Sequence, residues 1–254
     1  MLPSFSSLAP YWVLIFVVSL FFVKKNAQFS RTILWASLRT TIQLIALAFG
    51  LELIFKSEKF TLTLIVGFVM TLNSSLQLSF RSEGSRLYLL WITLFSQVLA
   101  LWPLAFYFSF DESMGTSWLT PESLLPLLGM LLGNTLNGVS IARSSFMQVL
   151  NEKKNEVYSL LAMGATQEEA TRKIFIRSLQ AGITPQLNSM MAMGLVSIPG
   201  MMAGQLISKT SALGAALTQI KMMLSILAGG IICISIMLRM LRFKLFGKNG
   251  ELCL

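Results

Sequence analysis

Histidine is absent from the 254 residues. That removes the commonest general base and the commonest metal ligand. Charge is scarce too: Lys, Arg, Asp and Glu make up 12% of the chain, about half the roughly 25% usual in soluble domains. The 2 cysteines, Cys233 in a late apolar run and Cys253 near the end, give neither a disulfide framework nor a ligand pair. No phosphate-binding loop is present, because Ser208-Lys209-Thr210 lacks the glycines that would precede it. If ATP drives anything here, another chain binds it. There is no Gly-x-Ser-x-Gly elbow and no histidine-based triad. Glu52 is the only carboxylate clearly within an apolar run, near its end and close to Lys56. One carboxylate makes no acid–base pair. These gaps argue against an enzyme and, more weakly, against a proton-coupled carrier; no catalytic residue and no bound cofactor is expected.

What the chain has in abundance is apolar length. Hydrophobic residues make up 54% of it and its mean hydropathy is +0.70, which marks an all-α integral membrane protein. Seven runs are visible, at about 8–23, 33–55, 60–80, 87–108, 124–142, 187–207 and 213–238. Each is near the ~20 residues that a spanning helix needs, the first being the shortest. The 15 Met and 18 Phe are ordinary packing material against lipid and neighbouring helices. Lys24 and Lys25 follow the first run rather than precede it, so it reads as an anchor and not a cleavable signal.

The net charge of +9 is read as a positive-inside bias rather than a nucleic-acid footprint. With the N-terminus outside, 16 of the basic residues fall in inner segments. They include Lys24, Lys25, Arg81, Arg143, Lys153, Arg172 and the tail with Arg239, Arg242, Lys244 and Lys248. Only Lys56, Lys59 and Lys209 fall outside, and Lys221 lies within the last run. Seven spans with a cytoplasmic C-terminus fit that count. An acidic loop with Asp111, Glu112 and Glu122 precedes the fifth run. No internal repeat is visible, so residues 1–254 are read as a single membrane domain.

Polar side chains inside the runs come in pairs on one helical face: Arg39 with Gln43, Asn73 with Gln77, and Asn134 with Asn137. Amides in hydrocarbon either join helices or line a path, and both readings stay open. Arg39 is also close enough to the inner boundary to snorkel. In the sixth run, Ser197 precedes Pro199-Gly200, a pair that kinks or breaks a helix. Freed backbone at membrane depth is tolerated where it is buried or lines a cavity. Gln43, Asn73, Gln77, Asn134, Asn137, Ser197, Pro199 and Gly200 are therefore the candidate substrate path, against the plainer reading of a kink with close packing at Gly200 and Gly204.

Between the fifth and sixth runs lies a polar stretch, residues 143–186. Val157, Leu160, Leu161 and Gly164 keep one helical face. Gly164-Ala165 interrupts it, and Thr166 with Glu169 three residues on forms a capping box that restarts a helix. Ala170, Ile174 and Ala181 line one side of that second helix. A helix–turn–helix tethered at both ends to spans suits docking into a groove on another protein.

The segment Leu160 to Ala170 resembles the cytoplasmic coupling loop of ABC-transporter permeases, with Gly164 and Ile174 at matching positions. Tyr158-Ser159-Leu160 stands where importers of that class carry Glu-Ala-Ala, so an ordinary importer permease is not matched. Four stretches are similar to the FetB (YbbM) family of iron-export permeases, which includes plant aluminium-tolerance permeases. They are Arg39…Gln43-Leu44, Gly129-Met…Gly133-Asn134, Leu161-Ala-Met-Gly-Ala-Thr166 and Gly194-Leu-Val-Ser-Ile-Pro-Gly-Met-Met-Ala-Gly204. The resemblance implies a permease of the bacterial cytoplasmic (inner) membrane that forms a homodimer and pairs with a separate ATP-binding subunit. Leu161, Gly164, Ala165, Thr166, Glu169, Ala170 and Ile174 would dock that subunit. It implies iron export or metal homeostasis, although no set of metal ligands can be named. From the residues alone, a self-contained secondary transporter or channel and an exporter of a polar organic molecule such as a nucleotide sugar stay open.

Overall fold

Backbone in hydrocarbon must satisfy its own hydrogen bonds, and the computed structural model accordingly turns the apolar runs into helices. It describes residues 8–24, 26–57, 60–80, 86–109 and 121–246. Lys25, Lys59, Arg81, Asp111, Glu112, Lys248 and Cys253 lie outside these. Among the described residues there are nine helices and no strand beyond an isolated bridge between Met193 and Ser197. Five are long and apolar enough to cross a membrane, within 27–52, 60–80, 86–108, 124–152 and 212–245.

The chain divides into two compact units, Met1–Glu58 and Lys59–Leu254. The first is a helical hairpin of α1 (Ala9–Val23) and α2 (Ala27–Ser57). Asn26 starts α2 by accepting the Phe29 N–H on its side-chain oxygen at 3.0 Å. The buried hydroxyls of Ser19 and Ser30 meet at 2.6 Å, and the rings of Phe22 and Phe29 meet edge-on. None of the residues in α2's most apolar stretch is buried. The hydroxyls of Thr32, Ser37, Thr40 and Thr41 donate back to carbonyls four residues earlier, which satisfies them without a partner helix.

The second unit holds α3 (Phe60–Phe80), α4 (Arg86–Ser109), α5 (Pro121–Glu152), α6 (Lys154–Ala162), α7 (Gln167–Ala192), α8 (Gly200–Ile207) and α9 (Ala212–Leu245). α9 packs against α4, α5, α7 and α8, and Leu101, Leu128, Leu131, Ile226, Ile234 and Met237 fill the centre. Lipid is as apolar as these side chains, so close packing and interhelical hydrogen bonds hold the bundle. The tightest crossing joins α5 to α7. A Cβ on Gly182 would lie 2.6 Å from the Gly138 carbonyl oxygen and 2.8 Å from the Ala142 Cβ.

Three expected boundaries move. The polar stretch 143–186 is not a loop apart from the spans: α5 continues to Glu152, and α7 runs from Gln167 through Gln186 to Ala192. Ala142, Phe146, Val149 and Leu150 are buried, an i, i+4, i+7, i+8 face that prolongs the helix beneath its polar surface. The seventh run likewise continues as helix to Leu245, because Leu241 and Leu245 remain buried between the basic residues. The sixth run is interrupted as its Pro199-Gly200 pair leads one to expect, but the break is wider than that pair: α7 ends at Ala192 and α8 begins at Gly200. The break opens at Gly194, which turns with φ +80° and whose N–H reaches the Ser197 carbonyl at 3.0 Å. Pro199 closes it as the N-cap of α8. Pro103, Pro126 and Pro185 sit inside helices that continue past them, so proline alone does not make the break.

Candidate functional site

The turn between α6 and α7 is tied at both ends. Past α6, the N–H of Gly164 bonds to the Leu161 carbonyl and that of Ala165 to the Leu160 carbonyl, each at 3.0 Å. These are the paired bonds of a Schellman motif, whose C′ residue must be left-handed. Gly164 has φ +91°. Across the turn the capping box is complete. Thr166 Oγ1 accepts from the Glu169 N–H at 3.3 Å, and Glu169 Oε2 accepts from the Thr166 N–H at 2.8 Å. The Thr166 hydroxyl also donates to that carboxylate at 2.7 Å. These bonds stabilise the ionised form and hold the Glu169 carboxyl below its usual range.

Beneath the turn, Val157, Ala170 and Ile174 are buried while Leu161 and Ala165 are half-buried. Met163 stands out at the tip, 75% exposed. At the start of α6, its N-cap Lys153 bonds to Glu156 at 2.8 Å, and this with the charge of Lys173 lowers the Glu156 pKa. A cleft of about 390 Å³ runs along α7 beside the end of α9, with Arg172, Phe175, Ile176 and Arg239 among its walls. At its edge the buried Arg242 pairs with Glu168 at 3.6 Å. The helix pair is thus a braced element with its own small core.

The candidate path residues are dispersed. Gln43 is exposed on α2; Asn73 is exposed and Gln77 half-buried on α3; Asn134 and Asn137 are exposed on α5. Asn134 donates to the Met130 carbonyl of its own helix at 2.8 Å. Interhelical joining falls to residues that amide pairing alone did not single out. Gln97 of α4 is fully buried, donates to Ser74 Oγ and accepts from Ser75 Oγ, both at 3.0 Å. Trp102 donates to Thr71 Oγ1 at 3.2 Å. The available signal was the stripe of Thr63, Gly67, Thr71, Ser74, Ser75 and Ser79, small and hydroxylated residues on one face of α3.

Ser197 and Pro199 line a cavity of about 440 Å³ at the break, whereas Gly200 lies at the first turn of α8 and is exposed. Its other walls include Met190, Met193, Met202, Gln219 and Met223. Glutamines on three consecutive helices around the break, Gln186, Gln205 and Gln219, each keep a buried side-chain atom without a hydrogen-bond partner. Among the described residues no group of three His, Cys, Asp or Glu is placed to hold a metal ion.

An all-helical membrane protein with a braced helix pair and an interrupted apolar run is the class these features define. The chain belongs to the uncharacterised protein family UPF0014, which matches residues 5–246. It is 30% identical over 198 residues to the UPF0014 membrane protein slr1647 of Synechocystis sp., covering 77% of this chain and 75% of that one. It is 27% identical over 198 residues to the Escherichia coli (strain K12) protein named probable iron export permease protein FetB, covering 78% and 75%. To the Arabidopsis thaliana protein ALUMINUM SENSITIVE 3 it is 34% identical over 104 residues, 41% and 38% of the two chains. No solved structure matches the chain. The resemblance to FetB-type and plant aluminium-related proteins therefore holds.

Proposed function

We propose that the chain is the membrane-spanning permease subunit of an ATP-driven exporter whose ATPase is a separate subunit. The carrying observation is the helix pair of residues 154–192, closed by a Schellman turn and a capping box. Such bracing suits an element that transmits force. A push at Gly164 would pass along α7 to the contact of Gly182 with Gly138, and so into α5. Leu161, Ala165, Thr166, Glu169, Ala170 and Ile174 complete this docking element. A self-contained carrier has no use for it.

In this reading α1 and the α7–α8 pair join the five long helices to make seven spans. The N-terminus is outside, and the helix pair and C-terminus are in the cytoplasm of a bacterial cell. The exposed amides Asn73, Asn134 and Asn137 face a second copy, and the path lies between two protomers. Metal export, of iron in particular, is supported by the name of the Escherichia coli relative. The described residues offer a bare hard cation no carboxylate or imidazole cluster, which favours cargo that carries its own ligands.

The test is affinity capture of the tagged protein from membranes in mild detergent, with mass spectrometry of what it retains. The expected result is a stoichiometric ATP-binding subunit, lost in Gly164→Trp and Glu169→Lys although both variants still insert. ATP-independent transport in vesicles by the protein alone would replace this reading with a secondary transporter.

A further inference from the structure

The cavity at the break is more than a packing defect. Its walls come from the end of α7, the segment 193–199, α8 and the first half of α9. At about 440 Å³ it falls within the roughly 300–1,000 Å³ usual for small-molecule sites. It contains no Lys, Arg, Asp or Glu, so a charged guest would lose its hydration and gain no counter-charge. Met190, Met193, Met202 and Met223 supply flexible, polarisable walls that adapt to irregular apolar shapes. Two polar side chains interrupt this lining, the exposed Ser197 and the buried Gln219. Gln219 is 7% exposed, and its Oε1 is buried without a hydrogen-bond partner. An unanswered acceptor in such surroundings asks for a donor.

We propose that this cavity binds an uncharged, mainly apolar molecule of moderate size that presents a hydrogen-bond donor to Gln219. A lipid acyl chain would fill the volume and leave the amide unanswered. A bare ion would leave most of the volume empty. Gln219 lies seven residues after Ala212, about 10 Å along the helix at 1.5 Å per residue. The site is thus inside the span and not at its mouth. Its role as a cargo site rests on the permease reading; binding itself does not.

The experiment uses the full chain purified in detergent with no ATPase subunit added. Two fluorescent probes of similar size are titrated over a micelle-only background: 1-aminoanthracene, which carries an N–H donor, and 1-methylanthracene, which does not. The expected result is saturable binding of the amino probe, weakened about tenfold by Gln219→Leu, with the methyl probe changed less than twofold. Ala216→Trp, which fills the cavity, removes binding of both. On the unmodified protein, 1-naphthol displaces the amino probe at a concentration about tenfold below that needed of 1-methylnaphthalene, a readout that needs no variant to fold. Absence of a saturable component, or equal binding of the two probes as a greasy acyl-chain groove would show, overturns the proposal. Capture of an ATPase subunit is unaffected by either outcome, so the two readings fail separately.

Discussion

At the scale of single residues, the turn depends on one glycine and one carboxylate, for different reasons. Gly164 has open space around the position of a Cβ, yet its φ of +91° is one that side chains resist. Substitution there costs about 1–2 kcal/mol in backbone alone. Glu169 contributes through charge. Its folded pKa is depressed by the Thr166 bonds, so its contribution is present above the ordinary glutamate range and is lost as pH falls through the lowered value. Protection of the Thr166 and Glu169 amides, taken as observed exchange against the intrinsic rate at each pH, is therefore expected to fall on acidification below the usual glutamate range. In Glu169→Gln that protection is lower at neutral pH and no longer changes with pH, because the amide accepts the same bond more weakly and does not titrate. Protection that stays constant with pH in the unmodified protein would show that the ionised box carries no stability.

At the scale of elements, the decisive contact is the crossing of α5 and α7. Gly138 and Gly182 bring backbone against backbone, and Ile234 of α9 closes over both. Gly182→Ala must force these helices apart, since its Cβ would meet a carbonyl oxygen at 2.6 Å. The expected loss is about 1–3 kcal/mol, as for other overpacked sites, read as a lower melting temperature in detergent. Gly50→Ala, with nothing within 4 Å of its added Cβ, is expected to be neutral or slightly stabilising through helix propensity. An unchanged melting point for Gly182→Ala would remove the crossing as the link between the helix pair and the bundle. The crossing was hidden because α7's early residues are polar, and nothing local says that their other face continues into a span.

At the scale of the whole molecule, the distribution of positive charge predicts orientation. Met163, 75% exposed at the tip of the turn, is expected to face the cytoplasm, and Lys209, after α8, the outside. In a Cys253→Ser background, Met163→Cys should react with an impermeant maleimide only in inside-out vesicles. Lys209→Cys should react only in intact cells. The native Cys233 is buried and does not interfere. The reverse pattern would invert the topology and place the helix pair beyond reach of any ATPase.

Much of this protein was legible from residues alone, and the boundary of legibility is physical. Apolar length and the scarcity of charge determine a helical membrane protein, because hydrocarbon admits few other backbones. Gly164, Thr166 and Glu169 determine their turn, because caps are satisfied within a few residues along the chain. Pro199-Gly200 mark a break for the same local reason, although only the structure shows that it opens at Gly194. Tertiary structure alone decided which polar groups meet. The amides Asn73, Asn134 and Asn137 sit at helical spacing, yet they face outward, while Gln97 finds Ser74 and Ser75 across a helix boundary. It also decided that Gln219 lies beside the break of another helix with its acceptor unanswered. Spacing along one helix specifies a face; what that face meets depends on how the helices rotate against each other, and that is set by the packing of the whole bundle.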